Sequence, residues 1–212
     1  MSFGEAVTSA MVADSLDVTG WRHQVLPAGI TPLVEGTRIV GRARTVQFAP
    51  AGSVDPDRPY DGAIDFIDSL RTGDIAVVAT DAGSASAFWG ELFSAAAIGR
   101  GAVGVVTDGY LRDTDKIIAL GFPAFGAGRR PIDFRGRMRV VATAERVVIG
   151  GVGIDDGDLV IADSDGIVVV PADVEDRVVE LADARARAES TVLGELLAGD
   201  GLRAVWERHG IL

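Results

Sequence analysis

The spacing of apolar residues along the chain changes between strand-like runs and helical offsets, and these changes divide it into elements. Residues 75–80, IAVVAT, form a β-branched apolar run between the Gly73-Asp74 turn and Asp81-Ala82-Gly83-Ser84, and predict a buried strand. Residues 90–100 place Leu92, Phe93, Ala96 and Ala97 at helical offsets and stop at Gly99-Arg100-Gly101, which predicts a helix. Residues 103–107, VGVVT, restore the strand composition and end at Asp108-Gly109. A strand, a helix and a strand in so short a space favour parallel pairing through a right-handed crossover, so both strands finish at one edge of the sheet.

On either side the pattern continues. Residues 3–15 predict an amphipathic helix, with Val7, Met11, Val12 and Leu16 on one side and a stop at Asp17-Val18-Thr19-Gly20. Residues 38–48 alternate imperfectly and carry Gly41, which predicts a strand with a bend or bulge. The polar stretch 51–62 is a solvated connection or, alternatively, a lid or specificity loop, and a short helix follows over 62–70. Beyond the central unit, 113–120 predicts a helix and 122–125 a short strand. Segment 137–171 is β-rich and divided by Gly and Asp turns, as a meander or a pair of hairpins beside the parallel strands. Residues 172–198 are helical and charged.

Composition narrows the function classes. With 212 residues, 48% of them hydrophobic, the chain can bury a substantial core, and a single domain over residues 1–212 is expected. A net charge of −11 argues against a nucleic-acid partner, because binding a phosphate backbone needs clustered Lys and Arg. There is no cysteine, hence no disulfide, thiolate nucleophile or Cys-based zinc site, and Lys116, the sole lysine, is the one candidate for a Schiff base. It falls on the polar face of a predicted helix. No basic segment leads into an apolar run at the start of the sequence and no stretch is long enough for a membrane span, so a soluble cytoplasmic protein is expected.

The predicted topology lets Glu91, which leaves the end of the first strand, meet Arg112-Asp113, which leaves the end of the second. Ligands of open α/β sheets gather at that edge. Backbone N–H groups of Gly90, Leu92, Phe93 and their neighbours at a helix start suit a ligand carboxylate, and Arg112 adds a bidentate cation. Asp113 suits a hard cation such as Mg2+, which needs few protein ligands. A 2-oxo acid fits such a site, with Glu91 positioning water or relaying a proton. Plainer roles stay open: Arg112-Asp113 as an exposed ion pair, Asp113 as a helix cap, and Glu91 as a first-turn carboxylate. Gly150-Gly151-Val152-Gly153 lies between strands and reads as a turn rather than a dinucleotide fingerprint. Asp163-Ser164-Asp165-Gly166 lacks later oxygen ligands and reads as a hairpin turn rather than a calcium loop. His23 and His209 are far apart in sequence, with His209 expected at the surface, and Ser84, Ser86 and Ser94 have no histidine near them for a serine triad.

Together, GRARTVQF at 41–48, WGELFSAAAIGRGAVGVVTDGYLRD at 89–113, LGFPAFG at 120–126, GDLVIADSDGIVVVP at 157–171 and the ending LRAVWERHGIL resemble the RraA-like family. That family includes class II 4-hydroxy-4-methyl-2-oxoglutarate (HMG) aldolases, oxaloacetate decarboxylases and the RraA regulators of ribonuclease E. Its aldolase motif is an acidic residue, twenty intervening residues, then Arg-Asp, which Glu91 and Arg112-Asp113 match. Glu91 stands where aspartate is usual, and Asp81-Ala82-Gly83-Ser84 departs from paired glycines. The resemblance implies an α/β, swivelling-type β/β/α domain with a central mixed sheet and N- and C-terminal helices, assembled as homotrimers or homohexamers. It further implies substrate binding and enolate stabilisation at Arg112, Mg2+ or Mn2+ at Asp113, and a pyruvate-yielding lyase. The alternative is a non-catalytic regulator of ribonuclease activity. An older methyltransferase label within the family finds no S-adenosylmethionine loop here.

Overall fold

The chain is organised around one long strand that pairs on both sides. The structure is a computed structural model that describes residues 3–52, 58–81 and 85–211. In chain order it contains α1 (Ser9–Thr19), β1 (Thr31–Pro32), β2 (Ile39–Pro50), α2 (Asp61–Asp68), β3 (Asp74–Ala79) and β4 (Ala87–Trp89). Next come α3 (Glu91–Arg100), β5 (Gly104–Thr107), β6 (Tyr110–Leu111), α4 (Thr114–Ala119), β7 (Ala124–Gly126) and β8 (Met138–Thr143). The remainder is β9 (Val147–Ile149), β10 (Val152–Ile154), β11 (Leu159–Ala162), β12 (Ile167–Val170), α5 (Glu175–Leu197) and α6 (Leu202–His209).

The main sheet is mixed, in the order β1-β7-β5-β3-β2-β11-β12, with β8 also on β2. Pairs β2–β3, β3–β5 and β5–β7 are parallel, the middle one as the strand–helix–strand unit predicted; β11, β12, β8 and β1 join antiparallel. Gly41 does not mark a bulge. Pairing runs through it without a break, and a Cβ there would lie 2.5 Å from the Gly73 carbonyl oxygen, so the residue serves close backbone approach. The register shift in β2 falls between Gln47 and Phe48, opposite β8.

One sheet face carries α2, α3 and α4 over Phe66, Ile67, Val78, Val105 and Ile117. The other is closed by the β9–β10 hairpin through Ile149 and Ile154. At the far edge α1 and α5 pack on β11 and β12 through Leu16, Ile161, Val168 and Val178. This is the expected swivelling-type arrangement of a curled mixed sheet with N- and C-terminal helices.

One boundary differs from expectation. Helix α1 begins at Ser9, because the Thr8 hydroxyl accepts from the Met11 N–H at 3.3 Å, so Val7 is buried from an irregular lead-in. Segment 137–171 takes the second of its two expected forms, a pair of hairpins, β9–β10 and β11–β12, while β8 leaves for β2. After α5 the chain turns into α6, where the partly exposed His209 lies with Nε2 3.0 Å from Glu195. Part of the possible lid, residues 53–57, and Ser84 lie outside the described residues. Among the described residues no helix is long and apolar enough to cross a membrane.

Candidate active site

Parallel β3 and β5 do deliver their continuations to one edge. There β4 and β6 form a small parallel sheet, Ala87 facing Tyr110 and Trp89 facing Leu111. The segment after β7 joins it through bridges Ala87–Asp133 and Leu111–Arg129. The ends of these segments surround a cleft of about 380 Å3 with an aromatic floor of Phe88, Trp89, Phe93 and Phe134. Its polar lining is Tyr60, Glu91, Arg112, Asp113, Lys116 and Asp133. All six residues expected at a site, Gly90, Glu91, Leu92, Phe93, Arg112 and Asp113, line it.

Gly90 precedes α3 in extended conformation and provides no side-chain cap, so the first N–H groups of the helix have only their ends to offer a ligand. The first backbone bond of the helix runs from the Ser94 N–H to the Gly90 carbonyl at 3.0 Å. A Cβ on Gly90 would stand 3.0 Å from Asp113 Oδ2 and 3.1 Å from Arg112 Cγ. Glycine therefore lets both side chains lie across the helix start.

Asp113 sits in the left-handed region at φ 53° before α4 but makes no side-chain cap, so the capping role is absent. Such a conformation costs a non-glycine residue about 1 kcal/mol and is characteristic of functional positions. Its Oδ2 is 3.4 Å from Arg112 Nε. The Arg112 backbone N–H donates to the Trp89 carbonyl at 2.9 Å, which locks the two segments together.

The Arg112 guanidinium is oriented from its other side by Asp133, at 2.9 Å from Nη1. Asp133 also accepts from the Tyr60 hydroxyl at 2.5 Å and from the Arg135 N–H at 3.0 Å. Burial opposes its ionisation, yet these three donors outweigh burial and hold its carboxyl below the ordinary range. Burial, then the bond to Asp133, raises the Tyr60 phenol above its usual value. Neither residue was foreseen from sequence. Tyr60 sits in a polar connection, and Asp133 in an irregular segment whose only signal is one acid among Pro131, Ile132 and Phe134.

Lys116, expected on a polar helix face, reaches the rim and donates to Glu91 Oε2 at 2.8 Å. That bond and the charge on Glu91 raise its pKa, so the ammonium stays protonated and is unsuited to Schiff-base chemistry. Among the described residues Glu91 Oε1 has no hydrogen-bond partner.

No three His, Cys, Asp or Glu side chains converge as a metal cage among the described residues. Asp133 accepts three donors and Glu91 is bound by Lys116 at 2.8 Å, whereas Asp113 makes only the looser contact of its Oδ2 with Arg112 Nε at 3.4 Å and keeps the greater coordinating capacity. A single hard oxygen donor fits a divalent cation that keeps most of its waters, such as Mg2+ or Mn2+. It does not fit a zinc site built from several nitrogen or sulfur ligands.

The profile of the RraA-like family, Aldolase/RraA, matches residues 9–169. Protein DlpA of Legionella pneumophila is 28% identical over 203 residues, 95% of this chain and 32% of that protein, so the chain spans about a third of that relative's length. A Halalkalibacterium halodurans protein provisionally named 4-hydroxy-4-methyl-2-oxoglutarate aldolase is 30% identical over 191 residues, 87% of this chain and 85% of its own. Among solved structures, RraAS2 of Streptomyces coelicolor, described as an unusual member of the RNase ES inhibitor RraA family, superposes with a TM-score of 0.76. It shares 31% identity and covers 87% of this chain and 90% of its own.

Proposed function

The chain belongs to the RraA-like family, and from that premise we propose that it is a divalent-metal-dependent lyase that releases pyruvate from a 4-hydroxy-2-oxo acid of the HMG type. Decarboxylation of oxaloacetate would use the same enolate. The observation that carries this reading is the convergence of Arg112, Asp113 and the uncapped start of α3 on one cleft. Arg112 binds the C1 carboxylate and stabilises the negative charge that develops on the keto oxygen, aided by the N–H groups of Leu92 and Phe93. Asp133 and Tyr60 are positioning residues that hold the guanidinium against rotation.

Asp113 would hold Mg2+ or Mn2+, which supplies Lewis-acid polarisation of the 2-oxo acid when bound. Glu91, anchored at Oε2 by Lys116, presents Oε1 to a water that takes the C4 hydroxyl proton and later returns one to C3. Purified protein with Mg2+ should release pyruvate from HMG or oxaloacetate, and EDTA or Arg112→Ala should abolish release. Pyruvate formation that persists unchanged under either treatment would sink the proposal.

Similarity to RraAS2 favours a second reading, a non-catalytic regulator that binds a ribonuclease. A pull-down against ribonuclease and helicase partners, run beside the pyruvate assay, separates the two. A homotrimer or homohexamer is part of the proposal. Its support is the exposed apolar series Leu193, Leu197, Leu202 and Trp206 on α5 and α6, and light scattering of the purified protein gives the test. With a net charge of −11, a small anion bound at a local cation suits the chain better than nucleic acid.

A further inference from the structure

The ion pair between Glu91 and Lys116 holds both groups that addition of water to a carbonyl requires, a base and a cationic donor. Glu91 opens α3, Lys116 lies in α4, and both line the cleft beside Arg112 and Asp113. Lys116 Nζ donates to Glu91 Oε2 at 2.8 Å, which pins one carboxylate oxygen and leaves Oε1 without a hydrogen-bond partner among the described residues. An ammonium carries three N–H donors. The other two on Lys116 likewise have no partner among the described residues. The hydrogen bond to Glu91, and then the charge on Glu91, raise the Lys116 pKa, so the donor stays charged. The Lys116 side chain is 65% exposed, which puts the pair at the rim, in reach of solvent water.

This arrangement depends on side-chain length. A carboxylate one methylene shorter at position 91 would withdraw from Nζ by up to about 1.5 Å. The pair would then separate, and the base would lose its fixed orientation.

Taking the proton from a C4 hydroxyl needs a base alone. An ammonium beside that base adds a donor for negative charge on the C4 oxygen, which is the need when C4 arrives as a ketone. Hydration of a 2,4-dioxo acid gives a 4,4-dihydroxy-2-oxo acid. That species is itself a 4-hydroxy-2-oxo acid, and the same C3–C4 bond then breaks.

We propose that the site also hydrolyses 2,4-dioxo acids (acylpyruvates) to pyruvate and a carboxylic acid, with Glu91 as general base and Lys116 as donor to the C4 oxyanion. This rests on the lyase reading above and extends it to a second activity. Glu91 Oε1 takes a proton from water as the water oxygen bonds to C4, and the carbonyl π pair moves onto the C4 oxygen, where the Lys116 N–H groups hold it. The oxyanion then re-forms a carbonyl, the C3–C4 bond breaks, and its electron pair passes into the enolate of pyruvate beside Arg112. The proton held by Glu91 goes to C3. One water is consumed, its oxygen and second proton remaining on the carboxyl group formed at C4.

The test follows acetate and pyruvate formation from 2,4-dioxopentanoate by NMR, with the full chain and Mg2+, above the rate without protein. Oxaloacetate decarboxylation is the reference, because it breaks the same bond without adding water or placing new charge on a C4 ketone oxygen. The wild-type chain should release acetate and pyruvate in equal amounts. Lys116→Met, at an exposed position and with its fold verified by circular dichroism, should lower kcat for hydrolysis about tenfold more than kcat for decarboxylation. Lys116→Arg should restore part of that difference, and Glu91→Gln should abolish hydrolysis. Equal losses on the two substrates in Lys116→Met would overturn the donor role. Pyruvate from oxaloacetate or HMG with none from 2,4-dioxopentanoate would overturn the inference and leave the lyase reading standing. Hydrolysis of 2,4-dioxopentanoate with no release from HMG or oxaloacetate would overturn the lyase reading and support the hydrolytic activity. Release from none of the three would overturn both.

Discussion

Replacing Asp133 by Asn tests whether the guanidinium of Arg112 is held in place by its environment. The substitution preserves side-chain volume and removes the charge that faces Arg112 Nη1 at 2.9 Å and accepts from Tyr60 at 2.5 Å. Hydrogen bonds to a charged group contribute about 1.5–3 kcal/mol when buried. Arg112 has 37% of its side chain exposed, so solvent screens that pair, and its share falls to about 0.5 kcal/mol. An amide can still accept from Tyr60, so the stability loss should be about 1–2 kcal/mol, a fall in Tm of about 2–8 °C for a chain of this size.

The effect on activity should be larger. A guanidinium displaced by about 1 Å no longer meets the substrate carboxylate squarely, a misplacement that costs on the order of a hundredfold in rate. Pyruvate release from a 2-oxo acid, followed by a coupled dehydrogenase assay, should show KM raised and kcat/KM reduced by about 10–100-fold. Asp133→Glu should restore part of the loss, and Tyr60→Phe should reproduce it at smaller amplitude. A purely structural role predicts lower Tm with unchanged KM. That outcome, or unchanged kcat/KM in Asp133→Asn, would refute the positioning argument.

The remaining expectations concern the same cleft and the frame behind it. Gly90→Ala places a methyl 3.0 Å from Asp113 Oδ2, so pyruvate release should fall at least tenfold while Tm changes little; equal activity would show that Asp113 need not lie across the helix start. Lys116 is held protonated by Glu91, so borohydride reduction in the presence of pyruvate should leave no covalent adduct by mass spectrometry; an adduct on Lys116 would establish a Schiff base instead. Arg42 donates to Glu175 at 2.6 Å, and this bond lowers the Glu175 pKa. A carboxyl whose folded pKa is depressed stabilises the fold above its unfolded value of ~4.3 and loses that contribution as pH falls through the folded value. Glu175→Gln should therefore cost about 1–3 kcal/mol in urea denaturation at pH 7 and progressively less in acid, and a pH-independent difference would contradict the assignment.

Much of this arrangement was legible in the chain itself. The apolar runs at 75–80 and 103–107 and the helical offsets between them are local patterns, and they were sufficient to bring Glu91, Arg112 and Asp113 to one sheet edge. Composition alone removed thiol and disulfide chemistry. The bulge expected at Gly41 was displaced to Gln47–Phe48, because a glycine in a strand signals either a bulge or close approach, and only the presence of the Gly73 carbonyl decides between them.

Asp133, Tyr60 and the partner of Lys116 were decided by tertiary structure. Asp133 reaches the cleft through an isolated bridge to Ala87, beside a strand of three residues paired with one of two. Segments so short carry no period from which a partner can be inferred. Sequence patterning specifies which face of an element is buried and where the element ends, because those depend on neighbouring residues. Which distant carboxylate comes to rest against a given guanidinium depends on non-local backbone pairing, and that is settled only when the whole sheet has closed.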